Sequence, residues 1–125
     1  MIMEMSFNFQ PGQIVSLEHG EKNLYAEVIQ VVVSRQLCWV RPLLLVTHTE
    51  EQPIITDLRD CSDLLWPIQL FRHALDTEVI ILLSQILVKE PKSEPDLAAK
   101  QQLHQFIQQV WQAYQEGVGS GRDGE

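Results

Sequence analysis

The chain has 125 residues, 45% of them hydrophobic and 21% charged, which fits one small globular domain and leaves no room for a second. A chain of this length buries roughly two thirds of its unfolded surface, enough for a core without disulfides or a structural metal. Nine Lys and Arg against 17 Asp and Glu give a net charge of -8, a balance that repels phosphate backbones unless the basic residues cluster.

The first ten residues hold no Lys or Arg and no apolar run of signal-peptide length, so a cleaved secretion signal is not expected. The longest apolar stretch, Val79 to Leu83 and on to Val88, is about half the ~20 residues a membrane helix needs. A soluble, cytoplasmic protein is the expectation. Cys38 and Cys61 lie in dissimilar contexts and could form only one bridge, so both read as reduced thiols.

Pro11-Gly12 opens the ordered region, and residues 13–18 predict a short strand. His19 to Asn23 turns the chain. Leu24 to Val33 is rich in β-branched residues with no matching polar series, the pattern of a strand buried on most of both faces. After a turn at Ser34-Arg-Gln36, a third strand over 37–46 places Leu37, Trp39 and Arg41 on one face and Cys38 and Val40 on the other. Pro42 removes a ladder donor, so the strand lies at an edge there or carries a bulge. A polar loop over 47–53 leads to a fourth strand at 54–58, and Leu64-Leu-Trp66 before Pro67 predicts a fifth. Four or five short strands at such spacings predict a mainly β domain, a compact antiparallel barrel over residues 9–88.

Asp76 to Glu78 supplies an N-cap and a first-turn acid, which predicts a short helix at 77–87, with Val79, Ile80 and Ile81 keeping a strand open as the alternative. Residues 89–95, with two prolines and alternating charge, read as a linker. From Asp96, the residues Leu97, Leu103, Phe106, Ile107, Val110, Trp111 and Tyr114 recur at spacings of three and four, predicting an amphipathic C-terminal helix over 96–116. Its other face is rich in glutamine. Gly117 is expected to end it, leaving 117–125 as a flexible tail.

Residues able to do chemistry are present but unpatterned. Asp57, Asp60 and Asp63 with His73 and Asp76 include metal-ligand types, yet they fall on strands and turns where Asp commonly bonds its own backbone. The four histidines have no zinc spacing, Cys38 sits among apolar neighbours, Cys61 sits beside carboxylates, and no serine lies in a nucleophile elbow. No catalytic residue, metal or cofactor is therefore expected. An enzyme would need a cleft that brings His73 near Asp57, Asp60 or Asp76.

The stretches Gln10 to Val15, Leu24 to Gln30 and Cys38 to Leu43 resemble small SH3-like barrels, in which a Pro-Gly entry leads to a strand, a turn and two long strands. With Asp63-Leu-Leu-Trp-Pro67, the pattern resembles small barrel proteins of cyanobacterial type, over about residues 9 to 75. The resemblance implies an SH3-like barrel, no cofactor, and work by docking, as in accessory subunits of photosynthetic electron-transfer complexes.

The expectation that follows is a protein-interaction module, an accessory or assembly factor of a larger complex, whose partner could be membrane-associated. Trp39, Arg41, Trp66 and Phe71 are the candidate contacts on the barrel, and Phe106, Val110 and Trp111 those on the helix. That helix face either folds back on the barrel or is offered to another chain, a homodimer included. The alternative function is an RNA-binding or translation-associated barrel using Arg35 and Arg41. Twelve acids against six basic residues before position 91 disfavour nucleic acid as a partner.

Overall fold

The computed structural model describes residues 9–87 and 97–123. The linker at 89–95 lies outside them. The elements, in order, are β1 (Ile14–His19), β2 (Lys22–Val32), β3 (Leu37–Thr47), β4 (Ile54–Asp57), β5 (Leu64–Pro67), β6 (Arg72–His73), α1 (Asp76–Leu87) and α2 (Leu97–Asp123). The strands form one antiparallel sheet in the order β4-β3-β2-β1-β6, with β5 also paired to β3. This sheet is open, bounded by β4 and β5 on one side and by β6 on the other. Closure into a barrel is therefore replaced by coverage of the faces by helices.

The β1–β2 hairpin turns at Gly20, whose φ of 60° supplies the positive value that a type II′ hairpin needs at that position. β2 and β3 form the long central hairpin, closed by a single 3-10 turn at Val33–Arg35 and by Gln36 in the left-handed region. Two bulges interrupt their pairing. Ile29 is the extra residue between the pairs Val28–Val40 and Gln30–Trp39, and Leu43 the extra residue between Tyr25–Leu44 and Ala26–Pro42. Each bulge reverses the inside–outside alternation, because a strand's side chains repeat every two residues. Cys38 and Val40 thus share the inner face with Leu45, and Leu24, Ala26 and Val28 share it with Val31.

Pro42 sits at the change of partner along the outer edge of β3, where pairing with β5 ends at Val40 and pairing with β4 begins at Leu44. Both expectations for this proline are met side by side, the unpaired outer edge at Pro42 and the bulge at Leu43 next to it. β6 was not expected from the sequence. It has two residues and is defined by its pairing to Val15 and Ser16 of β1, so no periodicity could announce it.

Two helices cover opposite faces of the sheet. α2 packs Ala99, Leu103, Phe106 and Val110 against the inner face, among Val15, Leu17, Leu24, Val28, Val40, Leu45 and Leu58. The spacing of four, three and four is the seam of one helix face. Burial of Leu103, Phe106 and Val110 stabilises the fold by about 1.5–3 kcal/mol each. Thr56 on β4 also donates a 2.8 Å hydrogen bond to Oε1 of Gln102. The helix thus docks on its own sheet. It runs on to Asp123, past the expected stop at Gly117: a glycine weakens a helix by about 1 kcal/mol relative to alanine but ends it only by taking a left-handed turn, and the described glycines with positive φ are Gly12 and Gly20.

α1 lies on the outer face, over a second cluster of Tyr25, Leu44, Val46 and Val79 with Ile14, Ile55, Ala74, Leu82 and Leu83 beside them. The helical reading of 77–87 holds and the strand alternative does not. Its cap position is Leu75 rather than Asp76, since the Leu75 carbonyl accepts the first helical bond from Val79 N–H at 3.1 Å. Glu78, three residues on, accepts the Leu75 N–H at 2.8 Å, the second half of a capping box.

The burial pattern predicts unequal costs for two aromatic truncations on α2. Phe106→Ala is expected to lower the unfolding free energy by about 3–5 kcal/mol, as for other buried aromatics, and Trp111→Ala, at a half-exposed site, by much less. Urea unfolding followed by circular dichroism measures both, and equal losses would contradict this account of the inner core.

Candidate interaction surface

The outer face of β3 carries Leu37, Trp39 and Arg41 at alternate positions before the Leu43 bulge. Trp39 is 38% exposed and pairs across the ladder with Leu65, which is 55% exposed. Asp63, just before β5, ties the face together: its carboxylate accepts Trp39 Nε1–H at 2.9 Å and Arg41 Nε–H at 3.2 Å. The bonds from Trp39 and Arg41 hold the Asp63 carboxyl below its ordinary 3.8 against a small opposing effect of burial. Asp63 read in the sequence as a turn residue; its orienting role depends on the β3–β5 register, which no local signal encodes.

Trp66 lies on the other face of β5, opposite Cys38, and is half-buried against the inner core. There it meets α2. Its ring stands edge-on to Trp111 with centroids 6.0 Å apart, and Trp111 stacks on Tyr114 at 5.6 Å. Gln69 Nε2 donates to the Tyr114 hydroxyl at 3.1 Å. Such aromatic pairs contribute about 0.5–1.5 kcal/mol each beyond area burial, so this patch closes the contact between α2 and β5 while leaving one edge of Trp111 open.

The remaining candidates fall elsewhere. Phe71, Phe106 and Val110 are buried in the inner core, so they take no part in the open surface of this chain. Phe71, expected as a contact on the barrel surface, follows a single 3-10 turn at Ile68–Leu70 and lies buried in the inner core instead. Exposed apolar side chains missed in the sequence stand on α1, where Ile80 is 65% and Ile81 62% exposed. They were counted within an apolar run whose outward half could not be separated from its seated half.

A polar cluster also escaped notice. Ser16 donates to the Asn23 side chain, Asn23 Nδ2 donates to the Tyr25 hydroxyl at 3.1 Å, and that hydroxyl donates to Glu78 at 2.7 Å. Arg72 bridges Glu78 at 3.3 Å and Glu18 at 2.6 Å. Burial, then the Glu78 carboxylate, pushes the Tyr25 phenol well above its ordinary 10.0. For Glu78, burial works upward, but the Leu75 N–H, Tyr25 and Arg72 outweigh it and hold the carboxyl below its ordinary 4.5. Among the described residues, no buried side-chain nitrogen or oxygen lacks a hydrogen-bond partner.

Of the groups an enzyme reading would bring together, His73 and Asp57 lie apart. His73 is on β6, where it packs edge-on to Phe9 at 4.6 Å, whereas Asp57 is on β4 and holds Arg59 at 2.8 Å. These strands stand at opposite ends of the sheet order. Among the described residues, no three His, Cys, Asp or Glu side chains group as metal ligands, and no helix is long and apolar enough to cross a membrane. Burial pushes the Cys38 thiol up to about 11. Comparison with known protein families, with curated proteins and with solved structures finds no match.

Two expected outcomes follow from these environments. Native-state labelling with a thiol reagent at mildly alkaline pH modifies half-buried Cys61 ahead of buried Cys38, and mass spectrometry of the digested protein reads the order. Because Glu78 is more acidic folded than unfolded, its contribution to stability is complete above its unfolded value of 4.5 and fades as pH falls through the lower folded value. The stability difference between wild type and Glu78→Gln is therefore constant from pH 7 to about 5 and shrinks below that; urea titrations across this range check it.

Proposed function

We propose that the chain is a non-enzymatic protein-interaction module, an accessory or assembly factor of a larger complex, built on an SH3-like sheet. The observation that carries this reading is the pair Trp39 and Leu65, matched across the β3–β5 ladder and both exposed, with Arg41 beside them on β3. An exposed apolar pair with Trp and Arg in it marks a contact surface. Ile80 and Ile81 are exposed on α1 and Leu97 and Trp111 on α2, whereas Lys100, Gln101, His104, Gln105, Gln108 and Gln109 of α2 are exposed and polar.

Trp39 is suited to such a contact because Asp63 fixes its indole, which lowers the ordering cost of binding. The SH3-like part of the reading is supported by the two bulges that bend the long hairpin and by β3 sharing its outer edge between β4 and β5, devices with which small barrels turn corners. The resemblance adds a class of partner, a membrane-associated photosynthetic complex. Against an RNA-binding reading, Arg41, Arg59 and Arg72 are each engaged by a carboxylate, so their charge is already answered within the chain.

The test is affinity capture from native lysate in mild detergent, with and without nuclease, using wild type and the double variant Trp39→Ser, Leu65→Ser. Nuclease-resistant recovery of subunits of one complex, lost in the double variant and kept in Gln105→Ser on the polar side, is the expected result. Recovery that disappears with nuclease, or that ignores the double variant, would overturn the reading.

A further inference from the structure

The outer face of β3 is one strip: Leu37, Trp39 and Arg41, then, beyond the bulge, Leu44 and Val46. α1 covers only the second half. Its seat is narrow, because among its described side chains only Val79 is buried, Leu82 and Leu83 are half-buried, and Ile80, Ile81, Ser84 and Gln85 are exposed. Its polar attachment is gathered in the first turn, where Glu78 accepts bonds from the Tyr25 hydroxyl, the Arg72 guanidinium and the Leu75 N–H. The same Arg72 also holds Glu18 of β1.

α2 is attached quite differently. It buries side chains over three turns, from Ala99 to Val110, and adds the aromatic contact of Trp111 with Trp66. The free energy of lifting an element follows the apolar area and bonds it gives up, so the two helices do not open at the same cost. The sheet below α1 also does not depend on it for pairing, since β1, β2 and β3 are joined to one another along their full ladders.

We propose that α1 is a displaceable cover, released as a unit when the Glu78 clamp breaks while the sheet and α2 stay folded. On release, Tyr25 of β2 and Leu44 and Val46 of β3 become uncovered on the same outer face as Leu37 and Trp39, beyond Arg41. The opening belongs to the isolated chain and does not depend on the protein-contact reading, so either can fail without the other.

Hydrogen exchange of the full chain at neutral pH, read by mass spectrometry or NMR, tests it directly. The α1 amides are expected to exchange through an opening more frequent than that of the β2, β3 and α2 amides. Glu78→Gln, which weakens charge-assisted bonds, is expected to raise α1 exchange about tenfold and to keep α1 well ahead of β2, β3 and α2, whose exchange through global unfolding rises by no more than the same factor, while Ile81→Ser leaves all four unchanged. Equal protection of α1 and the central strands in the wild-type protein would overturn the proposal. So would a Glu78→Gln variant in which α1 does not change, or an α1 exchange whose dependence on low urea is as steep as that of the central strands, the mark of global unfolding.

Discussion

Two extra residues in the central hairpin, Ile29 in β2 and Leu43 in β3, are the constraint on which the rest of the architecture depends. A strand without a bulge keeps one parity of residues on each face, and a long two-stranded ribbon with constant parity twists but does not wrap. Each bulge exchanges the parities and adds local bending. The inner face therefore collects Leu24, Ala26, Val28 and Val31 from β2, and Cys38, Val40 and Leu45 from β3. The bend gathers these side chains around α2. Without the second bulge, Leu44 and Val46 would fall on the inner side and Leu45 on the outer, and the two clusters that seat the helices would both be lost.

The bulges also divide the work between the helices. The inner face is large and continuous, and a long helix with a clean seam at Ala99, Leu103, Phe106 and Val110 fills it. Outside, the apolar surface is split at Arg41, with Tyr25, Leu44 and Val46 under α1, Leu37 half-buried, and Trp39 and Leu65 left open. Asp63 joins Trp39 to Arg41 at the border. The exposed ion pair adds little stability by itself, since solvent screens it. What it contributes is orientation of an indole that would otherwise turn freely at the surface.

Legibility in the sequence followed the range of the forces involved. The β-branched run from Leu24 to Val33, the alternation of Leu37 to Arg41 and the three-four spacing along α2 are local patterns, and each element formed where its pattern lay. Pro42 announced an irregularity because its missing donor is a local property too. Non-local pairing decided the rest. β6 exists through two partners on β1, the burial of Phe71 depends on the turn at Ile68–Leu70, and the Tyr25–Glu78 bond joins residues 53 positions apart. At the candidate surface, Trp39 and Arg41 were recognisable from alternation, while Leu65, Ile80 and Ile81 required the tertiary structure to show which side of an apolar run remains outside. An open sheet was also beyond reach, because short strands at regular spacing read the same whether or not their edges meet.

The outer cluster has one property that apolar packing alone does not give it. Ser16 and Asn23 are buried beneath α1, where a pair of aliphatic side chains would satisfy the hydrophobic requirement at no cost of desolvation. Their hydrogen bonds join diagonal positions of the β1–β2 ladder, whose direct pairs are Ser16 with Tyr25 and Glu18 with Asn23. A slip of β1 by one residue would bring Val15 or Leu17 into this polar site and strand the amide of Asn23, at a cost of about 1–3 kcal/mol for each buried group left unpaired. The network thus distinguishes one register from its neighbours more sharply than interchangeable aliphatic contacts would. Because the same chain of bonds ends at Glu78, the correct register of the first hairpin is also what positions the acceptor that clamps α1.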